Sequence, residues 1–355
     1  MSNALQTILT ERLGCTAPVI QTAMGWVAEP ALVIASSNAG AFGFLGAAVM
    51  TPDECCAKIL AVRRGTNRPF GVNFHSFQPG ADAIVELILA NHDQVRAVSF
   101  GRGPNAKMIG RFRDAGILCI PTVGAVKHAR KMVELGVDMI TVQGGEGGGH
   151  TGSVPTTVLL PQVLDAVDVP VIAAGGFCDG RGLVAALAYG AVGIAMGTRF
   201  LLTRESPVAD VAKAAYLKAG TDQIIVTTRL DGIPQRMVRT PLLDRIEKSG
   251  PVGMWLRAFE AGSAMKRRSG ASWLDFIRAA RGMTGHGDVP LRQAMMAATM
   301  PMLIQKAVVD GDIEHGVMAT GIVAGRIAEM PSCAELVDRI MTEARARLAA
   351  LCAPV

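Results

Sequence analysis

The chain has 355 residues, half of them apolar, 18% charged and 5% aromatic, with 40 glycines and a net charge of +5. That length can bury a large core, and the composition excludes a disordered or fibrous protein. Nucleic-acid binding would need a basic stripe with aromatic platforms, and membrane spanning an apolar run of roughly 18–20 residues; neither is visible.

The first residues, MSNALQTILTERLG, lack the basic start and long apolar centre of a signal peptide. Leu5, Ile8, Leu9 and Leu13 stand at helical spacing and predict a short amphipathic helix. The seven cysteines are odd in number, contain no CxxC and include the adjacent Cys55 and Cys56, a usage that suits reduced thiols in a cytoplasm.

Apolar, strand-like runs then begin near Val19, Ala41, Phe70, Arg96, Leu118, Met139, Val171 and Val192, 21 to 32 residues apart. Helix-like segments lie between them at 52–64, 81–91, 105–114, 126–135, 159–166 and 181–189. Gly40, Gly116, Gly136 and Gly190 stand where a helix would end before the next strand. Eight such units predict an α/β protein with a parallel (β/α)₈ TIM barrel. A doubly wound open sheet fits less well, because no GxGxxG follows the first strand. Polar or glycine residues close each strand: Gln21-Thr22, Asn73, Ser99, Gln143, Gly175-Gly176 and Gly197-Thr198. In a barrel these ends share the rim that carries the active site.

After Phe200 the rhythm breaks. A further strand is predicted from Ile224 to Arg229, then helices from Leu243 to about Val309, at His315–Ala328 and at Ala334–Leu351. The expected division is a barrel of residues 1–222 plus 315–355 and a mostly helical lid, or substrate domain, of residues 223–314. ATGIVAG, at residues 319–325, is a small-residue patch suited to close packing or approach to a ligand.

Two features carry chemistry. The stretch QGGEGGGHTG, Gln143 to Gly152, follows an apolar strand and ends beside a single imidazole, His150. Glycines let backbone approach a flat or charged ligand, and the plainer alternative is a flexible surface loop. AAGGFCDGRG and AMGTRFL follow the predicted strands seven and eight, whose loops commonly hold a phosphate; close helix–strand packing is the alternative reading. An imidazole titrating near ~6.5 can act as acid or base at neutral pH. His92, His128, His286 and His315 fall in helices, turns or the lid, and His75 is a minor candidate on the rim.

With QTAMGW after strand one, FGVN in strand three, GGHTG, the phosphate pair and the later DGDIEHGVMATGIVAGRIAEMPSCAELVDRI, the chain resembles the nitronate monooxygenase family, once called 2-nitropropane dioxygenases. It is also similar to the flavin-dependent enoyl-acyl carrier protein reductases. The resemblance implies an FMN-binding barrel that oxidises alkyl nitronates with O₂, with NAD(P)H a candidate electron donor or acceptor. It places Ala23 and Met24 against the flavin ring. Asn73 and Gln143 would hydrogen-bond the ring or its ribityl chain, Gly148 and Gly149 would run beside the flavin, and Gly175, Gly176, Gly197 and Thr198 would hold its phosphate. His150 matches the family's catalytic acid or base.

The chain departs from the family at Ala23 (often proline), Trp26 (often small), Thr151 (often arginine) and Ile322 (often glutamine). Trp26 lies either beside the flavin or in the core behind the strand. QTAMGWVA and QGGEGGGHTG look closer to flavin dehydrogenases or reductases of steroid-ring coenzyme A thioesters. Lys266-Arg267-Arg268, with Arg257 and Arg278, reads as a solvated helix face or as a holder of coenzyme A or nicotinamide phosphates. Cys178 reads as a packing residue. A barrel that binds a phosphorylated ligand without redox work is the alternative of another class, though no predicted strand end carries the lysine of a Schiff-base aldolase. The expected partner is a small-molecule substrate, with neither nucleic acid nor membrane involved, and a homodimer is compatible with the sequence.

Overall fold

The structure, a computed structural model, describes residues 4–100, 105–250 and 291–352, without the side chains of 291–298. It is a parallel β-barrel wrapped by helices. The strands are β1 (Val19–Gln21), β2 (Phe42–Gly46), β3 (Phe70–Phe74), β4 (Val95–Phe100), β5 (Leu118–Cys119), β6 (Thr122–Val123), β7 (Ile140–Gln143), β9 (Val171–Ala174) and β10 (Ile194–Met196). Their order in the sheet is β5-β4-β3-β2-β1-β10-β9-β7-β6. The two ends of that order are halves of one strand, separated by Ile120 and Pro121. The first half pairs with β4 and the second with β7. Ile120 donates its N–H to Val98 O at 2.8 Å, and Pro121 O accepts from Thr141 N–H at 2.9 Å. The ring is therefore closed and eightfold. Pro121, which has no N–H to give, marks where the strand changes partner.

The strands are largely apolar because most of their residues are buried on both faces, Arg96 of β4 and Thr122 of β6 being exposed. Ile20, Phe42, Phe44, Ala97, Ile120, Ile172 and Ala195 share one cluster with Leu9 and Leu13. The latter two belong to α1 (Ile8–Leu13), whose cap residue Thr7 bonds Val192 O just ahead of β10. The predicted N-terminal helix thus plugs the amino-terminal end of the barrel. The outer faces pack on α2 (Pro30–Asn38), α3 (Pro52–Gly65), α4 (Ala81–Ala90), α5 (Ala106–Asp114), α6 (Val126–Glu134), α7 (Thr156–Leu164) and α8 (Gly180–Tyr189) in the larger core. Gly40, Gly116, Gly136 and Gly190 all take positive φ.

Beyond the barrel come α9 (Thr198–Leu201), α10 (Asp210–Lys218), α11 (Pro241–Lys248), α12 (Leu291–Val308) and α13 (Cys333–Cys352), which packs on α8 and α2. The predicted strand near 224 exists as β11 (Ile224–Thr227). It pairs antiparallel with β12 (Gln235–Val238), which the sequence did not reveal. β12 also pairs with β8 (Gly149–His150) and with β13 (Met318–Ala319). The helix expected over His315–Ala328 is corrected here: that segment holds β13 and a 3-10 turn, Ile322–Arg326. Glycine and threonine are weak helix formers. The ladder to β12 and the bond from Gly321 N–H to Thr198 Oγ1 at 2.9 Å satisfy the backbone instead.

Candidate active site

A cavity of about 460 Å³ opens at the carboxyl-terminal rim of the barrel. Ala23, Met24, Asn73, Gln143, Gly148, Gly149, His150, Gly175, Gly176, Gly197 and Thr198, the eleven residues singled out from sequence, all line it. Trp26 and His75 line it too, as do Tyr216 and, from α12, Ile304 and Val308. Lys266-Arg267-Arg268, Arg257, Arg278 and His286 lie outside the described residues. His92, His128 and His315 are exposed and away from the cavity. Cys178 packs against the core, where burial raises its thiol pKa.

The glycine-rich stretch is held at three places. Glu146 reaches from its middle to the start of α7, where its carboxylate accepts from Thr156 N–H at 2.8 Å and Thr156 Oγ1–H at 2.7 Å. This satisfies an orphan donor of the helix and starts it at Thr156, three residues earlier than predicted. Arg236 of β12 donates to Gly147 O at 3.2 Å and Gly145 O at 2.6 Å. The β8–β12 ladder then pairs Gly149 with Arg236 and His150 with Gln235. Gly148 runs so close to Thr320 that a Cβ there would lie 2.4 Å from a backbone carbon. On Gly149, by contrast, a Cβ would meet nothing within 4 Å, so its side is open.

His150 sits on the edge with 57% of its side chain exposed, and its Nε2 lies 2.6 Å from Asp231 Oδ2. Asp231 is only 9% exposed and also accepts from Gln235 Nε2 at 2.6 Å and Ile233 N–H at 3.0 Å. Burial alone would raise its pKa, but the bond and charge of His150, with the other two donors, hold the carboxyl below its usual range. An ionised Asp231 can only accept, so Nε2 carries the hydrogen and Nδ1 is the lone-pair nitrogen of the neutral ring.

Other polar groups are half engaged. Asn73 gives one N–H to Ser99 O and Gln143 one to His150 O, leaving each amide oxygen and second N–H to a ligand. Met24 O is taken up by the N–H groups of Val27 and Ala28. Behind Gly197 and Thr198 lies Arg199, 4% exposed, whose guanidinium donates to Leu202 O and Glu329 O. No carboxylate among the described residues pairs with it. Burial lowers its pKa to about 10, so it remains a cation at neutral pH.

Sequence reading missed Asp231, Gln235, Arg236, Glu146 and Arg199. Glu146 was signalled as the sole acid within a glycine run, and Arg199 as a charge inside an apolar motif. The DGIPQR stretch gave no local hint of its role.

A closed parallel barrel whose rim carries a deep glycine-lined cavity and a carboxylate-held imidazole is a barrel enzyme, with its chemistry at the strand ends. The sequence profile of the nitronate monooxygenase family matches residues 6–86 and 78–343, and the chain belongs to that family of oxidoreductases. It is 48% identical over 343 residues to the (3aS,4S,5R,7aS)-5-hydroxy-7a-methyl-1-oxo-octahydro-1H-indene-4-carboxyl-CoA dehydrogenase of Mycobacterium tuberculosis, with 96% of both chains covered. A protein of the same name from Rhodococcus jostii is 44% identical, with 98% of each covered. A probable nitronate monooxygenase of Staphylococcus aureus is 30% identical, over 68% of this chain and 80% of that one. Among solved structures, FabK from Thermotoga maritima superposes with a TM-score of 0.77 at 31% identity, covering 98% of both chains. Family membership sets aside a barrel without redox work. No helix among the described residues is long and apolar enough to cross a membrane.

Proposed function

We propose that the chain is an FMN-dependent dehydrogenase of a carboxyl-CoA thioester built on fused carbon rings. The observation that carries this reading is the Asp231-held His150 beside a glycine-lined cavity, in a chain 48% identical along 96% of its length to a dehydrogenase of that substrate class. Alkyl nitronate oxidation has weaker support, from a relative 30% identical over 68% of the chain.

The cavity fits a flavin mononucleotide. It falls within the range of about 300–1,000 Å³ typical of small-molecule sites. Gly149 leaves an open side for a flat ring, and Asn73 and Gln143 each offer an amide edge. Gly175 and Gly176, with φ of 95° and 84°, let backbone turn at the end of β9 without a side chain in the way. With Gly197, Thr198 and the buried charge of Arg199 behind them, they suit a phosphate. When bound, FMN supplies the two-electron redox chemistry that protein side chains lack.

The chain's own residues handle the rest. Oxidation of a carbon skeleton removes a hydride and, from a neighbouring atom, a proton. Nδ1 of His150 is the base for that proton, and Asp231 fixes the ring and steadies the imidazolium that results. Ile304 and Val308 of α12 cover part of the cavity with apolar surface and limit water there. NAD(P)⁺ is the acceptor expected to close the cycle.

The test is anaerobic mixing of the yellow holoenzyme with a bicyclic carboxyl-CoA thioester, a straight-chain acyl-CoA, an alkyl nitronate, NADH and NADPH in parallel. Bleaching by the bicyclic thioester is expected. Bleaching by nitronate and not by the thioester would overturn the reading, and colourless protein that takes up no FMN would overturn the cofactor. His150→Asn is expected to retain flavin and lose about 10²–10⁴-fold in turnover.

A further inference from the structure

Among the described residues, Trp26 is the only non-glycine residue with positive φ, at 59°. It is the third residue of the turn Met24–Val27, which closes with Val27 N–H donating to Met24 O at 3.2 Å. That position of a turn is ordinarily filled by glycine or asparagine, and a bulky side chain there is strained. Gly25 stands one place too early to relieve it. Strain of this kind persists only where the surroundings over-determine it, and it clusters at ligand sites.

The surroundings of Trp26 are of two kinds. Trp26 packs on the core between barrel and helices and also lines the cavity. The rim on this side carries apolar and aromatic groups beside the polar Thr22 and Asn73. Val49 lies beside Gly25, 3.4 Å from where a Cβ there would stand. His75 lines the cavity and stacks on Phe77, with ring centroids 5.1 Å apart and planes 7° apart. Trp26, Val49 and His75 follow β1, β2 and β3, three adjacent strands. His150 follows β7, the sixth strand of the ring and so diametrically opposite the second. A ligand that reaches His150 across the cavity must turn its other side to this wall.

The geometry points to Trp26 as the specificity-determining residue, its indole forming the wall that takes the fused carbon rings of the substrate. This deepens the reading of the chain as a dehydrogenase of a ring-bearing thioester and rests on it. An extended acyl chain would gain less from a flat, fixed aromatic face than a compact ring system does.

The experiment compares wild type, Trp26→Gly and Trp26→Phe as holoenzymes. It measures the Kd of a bicyclic hydrindanone carboxylic acid without thioester by calorimetry, the Tm, and the ratio of kcat/KM for the bicyclic CoA thioester to that for a straight-chain acyl-CoA. Trp26→Gly is expected to weaken ring-acid binding and lower the ratio, each by about 10- to 100-fold. Its Tm should fall by no more than the loss of the packed part of the indole, because glycine relieves the backbone in return. Trp26→Phe should keep both within about fivefold, as one flat ring replaces another. Unchanged ring-acid affinity in Trp26→Gly with normal flavin content would overturn the inference. So would a fall in Tm with equal losses on both thioesters, the signature of a structural residue, or a wild type that does not bind the ring acid. A wild type that binds the ring acid through Trp26 but oxidises only nitronate would sink the dehydrogenase reading and leave the Trp26 wall standing. A wild type that oxidises the bicyclic thioester with no dependence on Trp26 would do the reverse.

Discussion

Asp231→Asn isolates the charge behind His150 while nearly preserving shape. Asp231 Oδ2 receives both His150 Nε2 and Gln235 Nε2, and Oδ1 receives Ile233 N–H. An asparagine has one acceptor oxygen for these two positions, so it must turn its amide nitrogen toward either the side-chain pair or Ile233. A hydrogen bond to a charged partner is worth about 1.5–3 kcal/mol. His150 is more than half exposed, and solvent screening places the loss in the lower part of that range, about 1.5–2 kcal/mol. Spent in the step where the imidazolium forms, this corresponds to about 10- to 30-fold in kcat. The assay is steady-state turnover of the flavin-replete variant on the wild type's best substrate. kcat within about twofold of wild type, or a loss confined to KM, would refute the view that Asp231 acts through the imidazole.

The same variant has a pH signature in stability. Because the Asp231 carboxyl is held low in the folded state, its stabilisation is present above the unfolded value of about 3.9 and is lost as pH falls through the lower folded value. The Tm difference between wild type and Asp231→Asn should therefore narrow once the pH drops below about 4. Gly148→Ala puts a Cβ 2.4 Å from Thr320 and 2.5 Å from Gly321 backbone, so a Tm decrease equivalent to about 1–3 kcal/mol and reduced flavin content are expected by calorimetry and absorbance. Arg236→Met removes both bonds to the carbonyls of Gly145 and Gly147, and hydrogen exchange should show faster opening of residues 145–150. Burial pushes Cys15, Cys55, Cys119 and Cys333 up to about 12, while Cys352 is exposed. A thiol reagent at pH 8 should react first at Cys352, and Cys352→Ser should abolish that fastest phase.

The barrel was legible because most of its strands are apolar runs and most of its helices are amphipathic, both local properties of the chain. The rim was legible for the same reason: Gly175-Gly176 and Gly197-Thr198 stand directly after their strands. Pairings that join distant segments were not. β8 and β13 are two residues long, and each exists only because β12 lies alongside. Their sequences, GH and MA, carry no strand signal of their own. Asp231 was missed for the same reason, since 81 positions separate it from the imidazole it holds. The helix expected at His315–Ala328 failed where long-range hydrogen bonds at Met318 and Gly321 overrode a spacing that reads locally as helical.

β12 separates, in time of synthesis, two halves of the candidate site. Every glycine that closes a barrel strand leaves the ribosome before residue 198, together with all the barrel strands. The carboxylate partner, the arginine that clips the glycine run and the segment that packs on Gly148 emerge only with residues 231–238 and 318–321. In a growing chain the glycines that close the barrel strands thus precede the residues that align His150.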